Sequence, residues 1–352
     1  MEKNSYYDNH GLSQSFLKQY LSPNPQVVVE EPEVDRWYTE KKHFTIGDGV
    51  DMQLTTPELF DEIMFTSKLT DSEKPSDKML GVIHLAYEKA KDTLLAPETH
   101  EVFEQVALEA ARELAWNPKW GDEAVLKNVN KYYDYYIELF EAEGKVVLTV
   151  EDRQKIDSLV IAIRTHENTS HYFRIHHSEQ VIIYQLPIYF EERGEDCKAL
   201  LDMVIVDHKN KTIRPIDFKT MGDTIYMFPK SMRQRRYDIQ AAFYTRALQH
   251  YKLQQGWDDY KILPFEFIVV STTDNIVVPI VYQCTVDTLL IGAEGRPPVV
   301  KTLDNGDEVI LRKGLVGWNQ LLDLHISYRE IGYNTHVDLL DGMVSLDWDS
   351  KY

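Results

Sequence analysis

The chain reads as an α/β fold: a mixed central sheet flanked by helices, with a helical N-terminal elaboration. Three features predict this. Up to about residue 177 the apolar residues recur mostly at helical spacing. After about residue 178 come β-branched, alternating segments separated by short turns. Helical spacing then returns between those segments and after them. No Pro/Gly linker, repeat or low-complexity tract divides the 352 residues. The expected organisation is therefore one domain, 1–352, with a mainly helical part (1–177), a sheet-bearing core (178–283) and a C-terminal elaboration (284–352).

The opening LSQSFLKQYLSP predicts a short helix, with Ser13 as cap and Pro23 as stop. Residues 24–36 are rich in Pro and acid and read as irregular. Residues 56–66, with Pro57 near the start, read as a helix, as do 78–116 and 122–143. Gly144 is the expected C-cap of the last. In TVEDRQKIDSLVIAIRTH, Thr149 and Asp152 stand close to a capping box. VIIYQLPIYFEE, KALLDMVIVD, KTIRPIDFKT and PFEFIVVST are the expected strands, with HKNK as a hairpin turn. RYDIQAAFYTRALQHYKLQQG is a helix ending at Gly256, and about 312–334 is helical again. GAEGRPPVVKTLDNGDEVI reads as a loop and hairpin.

Composition limits the function classes. Hydrophobic residues make up 43% and charged residues 27%, an ordinary globular balance, and 21 tyrosines argue against disorder. The net charge of −19 speaks against general nucleic-acid affinity, although a nuclease needs only a local basic lining. Cys197 and Cys284 form neither a CxxC nor a Cys/His cluster, which excludes a zinc ribbon or disulfide framework and fits a reducing cytoplasm. MEKNSYYDNHGLSQ has no apolar signal core, and no segment is long and apolar enough for a membrane span.

The chemistry concentrates around Asp202 and the Asp217-Phe218-Lys219 triplet. Residues two apart on a strand share a face, so Asp217 and Lys219 project together, with Phe218 on the opposite, buried side. The hairpin brings Asp202 alongside. Two converging carboxylates call for a cation, and oxygen-only ligands suit Mg²⁺ or Mn²⁺. Lys219 is placed to orient a water or hold a phosphate. The plain alternative is a surface hairpin with scattered charges. Gln240 and Tyr244, four apart on the following helix, share a face and are candidates to brace the site or touch substrate. Residues 219–236 carry Lys219, Lys230, Arg233, Arg235 and Arg236 against Asp223, a local reversal of the chain's sign. Phosphate contact is the functional reading of Lys230, Arg233, Arg235 and Arg236, and a solvated helix start the plain one. Glu179, ahead of the first strand, is an additional acidic candidate.

These blocks resemble the exodeoxyribonuclease VIII type of PD-(D/E)XK (restriction-endonuclease-like) nuclease, the recombination exonuclease of phages and prophages. The likeness runs from about residue 11 to about 283. LSQSFLKQYLSP resembles that family's Ser-rich opening helix, and IGDGVDMQLTTPELF its Gly-Thr-Ala-x-His … Pro-Glu-x-Phe block. VVLTVEDRQKIDSLV resembles its Val-Ile-Thr-x-Glu-Glu helix. CKALLDMVIV, IRPIDFKT, RYDIQAAFYTRAL and FEFIVVSTT resemble its metal hairpin, Gln/Tyr helix and next core strand, and Glu179 falls where the family has a Glu. The resemblance implies a Mg²⁺- or Mn²⁺-dependent exonuclease on linear duplex DNA, serving recombination or repair. It also implies a ring-shaped homo-oligomer, a single-strand annealing partner and, for a phage protein, the bacterial host cytoplasm.

Two positions depart from the family. Asp51 stands where the family has a metal-site His, and carries over as a candidate ligand with Asp202 and Asp217. Leu201, not Pro, precedes Asp202. His84, in an apolar helical stretch, reads first as a packed core residue; His43, His176 and His177 are weaker ligand candidates. The alternatives are an endonuclease, a single-strand or flap nuclease, or a catalytically impaired DNA-binding module. No GxxxxGK[ST] motif occurs, so no motor is fused to the chain.

Overall fold

The computed structural model describes residues 6, 9–21, 42–91, 99–303 and 308–331. Residues 1–34 and 165–352 form one compact unit and residues 35–164 a second. Among the described residues no helix is long and apolar enough to cross a membrane.

Helix α1 (Gln14–Gln19) starts at Ser13, whose hydroxyl accepts the Phe16 N–H at 3.2 Å, as the sequence predicts. An isolated parallel bridge joins Leu12 to Cys197, with Leu12 N–H donating to Asp196 O at 2.8 Å and Lys198 N–H to Leu12 O at 2.9 Å. Leu17 is 0% exposed and Tyr20 is buried. The N-terminal segment is thus part of the sheet-bearing unit. Pro23 and residues 24–36 lie outside the described residues.

The second unit holds α2 (Lys42–Thr55), a 3-10 turn at Pro57–Leu59, α3 (Phe60–Ile63), β1 (Met64–Thr66), α4 (Asp77–Lys91), α5 (His100–Glu113), α6 (Asp122–Val129), α7 (Tyr133–Ala142), β2 (Val146–Leu148) and α8 (Val150–Thr165). The helix expected over 56–66 is cut to a 3-10 turn and one α-turn. Met64–Thr66 instead pairs in parallel with the β-branched Val146–Leu148. The stretch 122–143 is two helices joined by a 3-10 turn at Asn130–Tyr132. Glu143 and Gly144 both take positive φ at its end. The capping box forms: Thr149 N–H donates to Asp152 Oδ2 at 3.3 Å and Asp152 N–H to Thr149 Oγ1 at 3.1 Å. Ala86 and Ala90 of α4 and Ala107, Ala110 and Ala111 of α5 let these helices share a core with Phe103 and Tyr136.

The first unit continues with β3 (Gln180–Glu192), β4 (Glu195–Asp207), β5 (Thr212–Met221), α9 (Phe228–Gln234), α10 (Tyr237–Gln254), β6 (Lys261–Ile262), β7 (Glu266–Ser271), β8 (Ile280–Gln283), α11 (Val286–Glu294), β9 (Val299–Thr302), β10 (Glu308–Arg312) and α12 (Trp318–Ile331). The six-stranded mixed sheet runs β3-β4-β5-β7-β8, with β6 on β5. Neighbours are antiparallel except β5–β7 and β5–β6. The parallel pair needs a crossover, and α10 supplies it. Ile239, Phe243, Ala247 and Leu248 of α10 share a core with Phe190, Leu201 and Phe267 of the sheet. The strand core at the centre of the predicted fold is present as a mixed sheet flanked by helices.

Two features escaped the sequence reading. Residues 285–294 form α11, capped by Thr285, whose hydroxyl accepts the Thr288 N–H at 3.2 Å. A Cβ on Gly292 would lie 2.0 Å from the Asp238 carbonyl oxygen, so the close approach of α11 to α10 requires glycine there. The helix expected from about 312 begins only at Trp318, because residues to Arg312 belong to β10 and Leu315 pairs with Arg296 in an isolated antiparallel bridge.

His84 of α4 packs edge-on against Tyr135, its Nε2 3.4 Å from the Tyr135 hydroxyl. This is the core histidine that the sequence favours. Burial lowers its pKa from 6.5 to about 4, against the upward pull of Glu88. The unfolded chain therefore takes up this proton first as pH falls. His84's contribution is full above about 6.5 and is lost as pH falls towards about 4. Urea midpoints across that window are expected to fall less steeply for His84→Leu than for the wild type.

Candidate active site

The site forms where the sheet opens. On β5, Ile213, Asp217, Lys219 and Met221 alternate onto one face, and Arg214, Ile216 and Phe218 onto the other. Phe218 stacks on Phe173 at 6.0 Å, on the side away from Asp217 as expected. Pairing of β5 with β4 stops at Met203↔Ile216, while pairing with β7 begins at Ile216↔Glu266 and runs to Met221↔Ser271. At Asp217, then, β5 changes the neighbour it bonds to. There Asp202 Oδ2 accepts the Phe218 N–H at 2.9 Å, so a carboxylate takes over where the β4–β5 ladder ends.

A second distortion faces the same point. Gln185, across β3 from Asp202, has φ 47°. The core residues of β3 are Leu186, Ile188 and Phe190 after it and Ile183 before it; those of β4 are Cys197, Ala199 and Leu201 before Asp202 and Val204 and Val206 after it. Both strands change inward phase at this step. A regular ladder does not do that, and the change leaves Asp202 at a break in the alternation.

Asp217 is 1% exposed. Its Oδ1 accepts from Gln240 Nε2 at 2.6 Å, and its Oδ2 is 2.6 Å from Lys219 Nζ. Lys219 Nζ also lies 5.0 Å from the centre of the Tyr237 ring. Burial pulls the Lys219 ammonium down, but Asp217, then Asp202 and Tyr237, outweigh it and raise its pKa above the usual lysine value. Tyr237, Gln240 and Tyr244 recur at i, i+3 and i+7 on one face of α10. Burial first, then Asp217 and Asp202, raises the Tyr244 hydroxyl well above its ordinary pKa, against a smaller opposing effect of the nearby Gln14 side chain. Asp202, Asp217, Lys219, Gln240 and Tyr244 are therefore brought together.

Of the other candidates in this unit, Glu179 stands apart. Glu179 is exposed just beyond the Gln180↔Asp207 pair, with its carbonyl accepting the His208 N–H. Five strand residues separate that pair from Asp202, roughly 17 Å, so Glu179 does not join the cluster. Asp51 is on α2 of the other unit, its carbonyl accepting the Thr55 hydroxyl at 2.8 Å. His176 and His177 engage His171 O and Asp207; the side chain of His43 lies outside the described residues. Lys230, Arg233 and Arg235 are exposed on or beside α9, near the 77% exposed Tyr226. Arg236 is buried instead. Its guanidinium binds Asp238 at 3.0 and 2.9 Å and the Val316 carbonyl at 2.6 Å, which ties the start of α10 to the loop before α12. It is a structural residue and leaves three exposed cations of the predicted four.

Sequence reasoning missed Lys18. It lies on α1, one turn after Gln14, with Nζ 6.0 Å from the Tyr237 ring. Burial first, then the neighbouring Lys219 ammonium, lowers its pKa to about 8, against the pull of Asp217 and Asp238. The available signal was the i, i+4 spacing of Gln14 and Lys18 in a helix whose other side carries Leu17.

The donor set fits a small hard cation within limits. Among the described residues no group of three or more His, Cys, Asp or Glu could hold a metal ion. The described residues of the sheet-bearing unit offer two carboxylates here, Asp202 and Asp217. Mg²⁺ is commonly held by one or two carboxylates, with water and substrate phosphate completing its shell. Zinc and calcium sites need richer sets.

No protein-family model matches the chain, and no curated protein does. Among solved structures, one described as a "putative exonuclease" from Eubacterium rectale aligns with 63% of this chain and 80% of its own, at 17% identity and a TM-score of 0.29. A likeness that low carries no argument, and the site stands on its own geometry.

Gln240→Leu removes a donor from a carboxylate that water does not reach. It is expected to cost about 1–3 kcal/mol in urea unfolding; an unchanged midpoint would mean that Asp217 does not depend on this bond.

Proposed function

We propose that the chain is a divalent-cation-dependent deoxyribonuclease that hydrolyses phosphodiester bonds at the Asp202–Asp217–Lys219 cluster, resecting linear duplex DNA for recombination or repair. One observation carries the reading. Asp217 and Lys219 share an inward face beside Asp202, at the point where β4 and β5 part, and Gln240 fixes Asp217 from above. A surface hairpin with scattered charges would not bury the carboxylate or brace it from a separate helix.

In this reading Asp202 and Asp217 hold Mg²⁺ or Mn²⁺, which when bound supplies a Lewis acid for phosphodiester hydrolysis. Lys219 orients the attacking water or the scissile phosphate. Gln240 keeps Asp217 in one rotamer, and Tyr244 with Gln14 walls the back of the cluster. Lys230, Arg233 and Arg235 supply backbone contacts to DNA, a local positive patch on a chain of charge −19. The order and spacing of the sequence blocks that resemble the exodeoxyribonuclease VIII type add end-directed digestion, a ring-shaped homo-oligomer, an annealing partner and a bacterial cytoplasmic setting to the proposal. Glu179 takes no part in it.

A second reading, a DNA-binding module without catalysis, is favoured by one observation: Lys219 itself occupies Asp217 Oδ2.

Digestion of end-labelled linear duplex in Mg²⁺, beside a closed circle, separates the readings. The wild type is expected to shorten the linear DNA progressively and spare the circle. Asp217→Ala and Lys219→Ala are each expected to lose about 100-fold or more in rate, the scale of removing one electrostatic group from such a site. Cutting of the circle would replace the exonuclease by an endonuclease. Inactivity in both Mg²⁺ and Mn²⁺ would leave the binding module.

A further inference from the structure

Lys18 stands outside the set that the sequence motif defines, and its position is over-determined. The Ser13 cap sets the start of α1, and the Leu12 bridge ties the segment to β4. Leu17 is buried in the sheet core, and Tyr20 stacks on Tyr328 at 5.8 Å with its hydroxyl 2.9 Å from His325 Nδ1. With those anchors on one side, Gln14 and Lys18 occupy another, one above the other. Gln14 lies near Tyr244 and Lys18 over Tyr237, so the pair follows the α10 face that carries Gln240.

The charges near Lys18 are already committed. Asp217 is shared by Lys219 and Gln240, Asp202 accepts from Phe218, and Asp238 is held by Arg236. The Lys18 ammonium makes no hydrogen bond or ion pair among the described residues; it lies 6.0 Å from the centre of the Tyr237 ring. Lys219 is an electrostatic neighbour above the same ring. Two ammonium groups close to one ring, with one of them lacking a counter-ion, form a place for an anion.

We propose that Lys18 is a phosphate-binding residue of this site, reaching from the N-terminal helix to hold a non-bridging oxygen of the substrate phosphodiester beside the Tyr237 ring that Lys219 also approaches. The assignment rests on reading the cluster as a phosphodiester hydrolase site, and it adds a substrate contact supplied by the first twenty residues of the chain. Lys18 then selects for a backbone phosphate and not for a base, in keeping with a sequence-indifferent nuclease.

Two measurements on the full chain test it. In the first, amine acylation is followed by mass spectrometry in EDTA, without and with inorganic phosphate or a short single-stranded oligonucleotide. Lys18 is expected to react several-fold more slowly with either anion present, while the exposed Lys209 in the β4–β5 turn serves as the reference. In the second, steady-state digestion compares Lys18→Gln and Lys18→Arg. Gln is expected to lower kcat/KM about 10-fold, mainly through KM, and Arg to restore most of it, both with wild-type melting curves. Unchanged acylation of Lys18 with both anions, or wild-type kcat/KM in Lys18→Gln, overturns the proposal. Protection of Lys18 in a chain that hydrolyses no DNA keeps the anion site and overturns the hydrolase reading instead.

Discussion

A carboxylate removed from water is tolerated only when its charge and lone pairs are met by partners held in place. Asp217 is such a group, and much of the sheet-bearing unit serves that demand. Lys219 meets one oxygen from two residues along the same strand, Gln240 the other from the crossover helix. The helix must therefore cross β5 in one register. Arg236, in a left-handed conformation, ties its start to Asp238 and the Val316 carbonyl, and Gly292 lets α11 press against its first turn.

The same constraint accounts for the break in the sheet. A regular β4–β5 ladder through residue 217 would engage the backbone beside the two aspartates and leave no opening. Instead pairing with β4 ends at Ile216, Asp202 takes the Phe218 N–H, and β3 and β4 change phase together at Gln185 and Asp202. The distortion sits at the charged cluster and nowhere else along that hairpin. Strain and broken pairing gather where chemistry needs a side chain re-aimed. The α1 segment then closes the far side, with Gln14 and Lys18 laid along the tyrosines of α10.

Much of this was legible in the chain because it follows from period and local chemistry. The two-residue repeat put Asp217 and Lys219 together, the four-residue repeat put Gln240 and Tyr244 together, and Ser13 and the Thr149/Asp152 pair marked helix starts that the structure bears out. What was not legible depends on tertiary partners. Glu179 is near the hairpin in sequence but at its open end in space. Arg236 belongs to a basic run, yet its neighbour Asp238 two residues on, with a carbonyl 80 residues away, claims it. Residues 56–66 carry helix signals that, from Met64 on, lose to pairing with Val146–Leu148, a partner 82 residues downstream. Lys18 reads as an ordinary exposed helix lysine until the return of α1 to α10 is known.

The central claim is that Asp202 and Asp217 together form a site for a small divalent cation, and calorimetric titration of the full chain with Mn²⁺ tests it most directly. The account predicts saturable binding that is abolished in Asp217→Asn and in Asp202→Asn, with both variants still folded. Binding that persists unchanged in both, or no binding by the wild type, would contradict it.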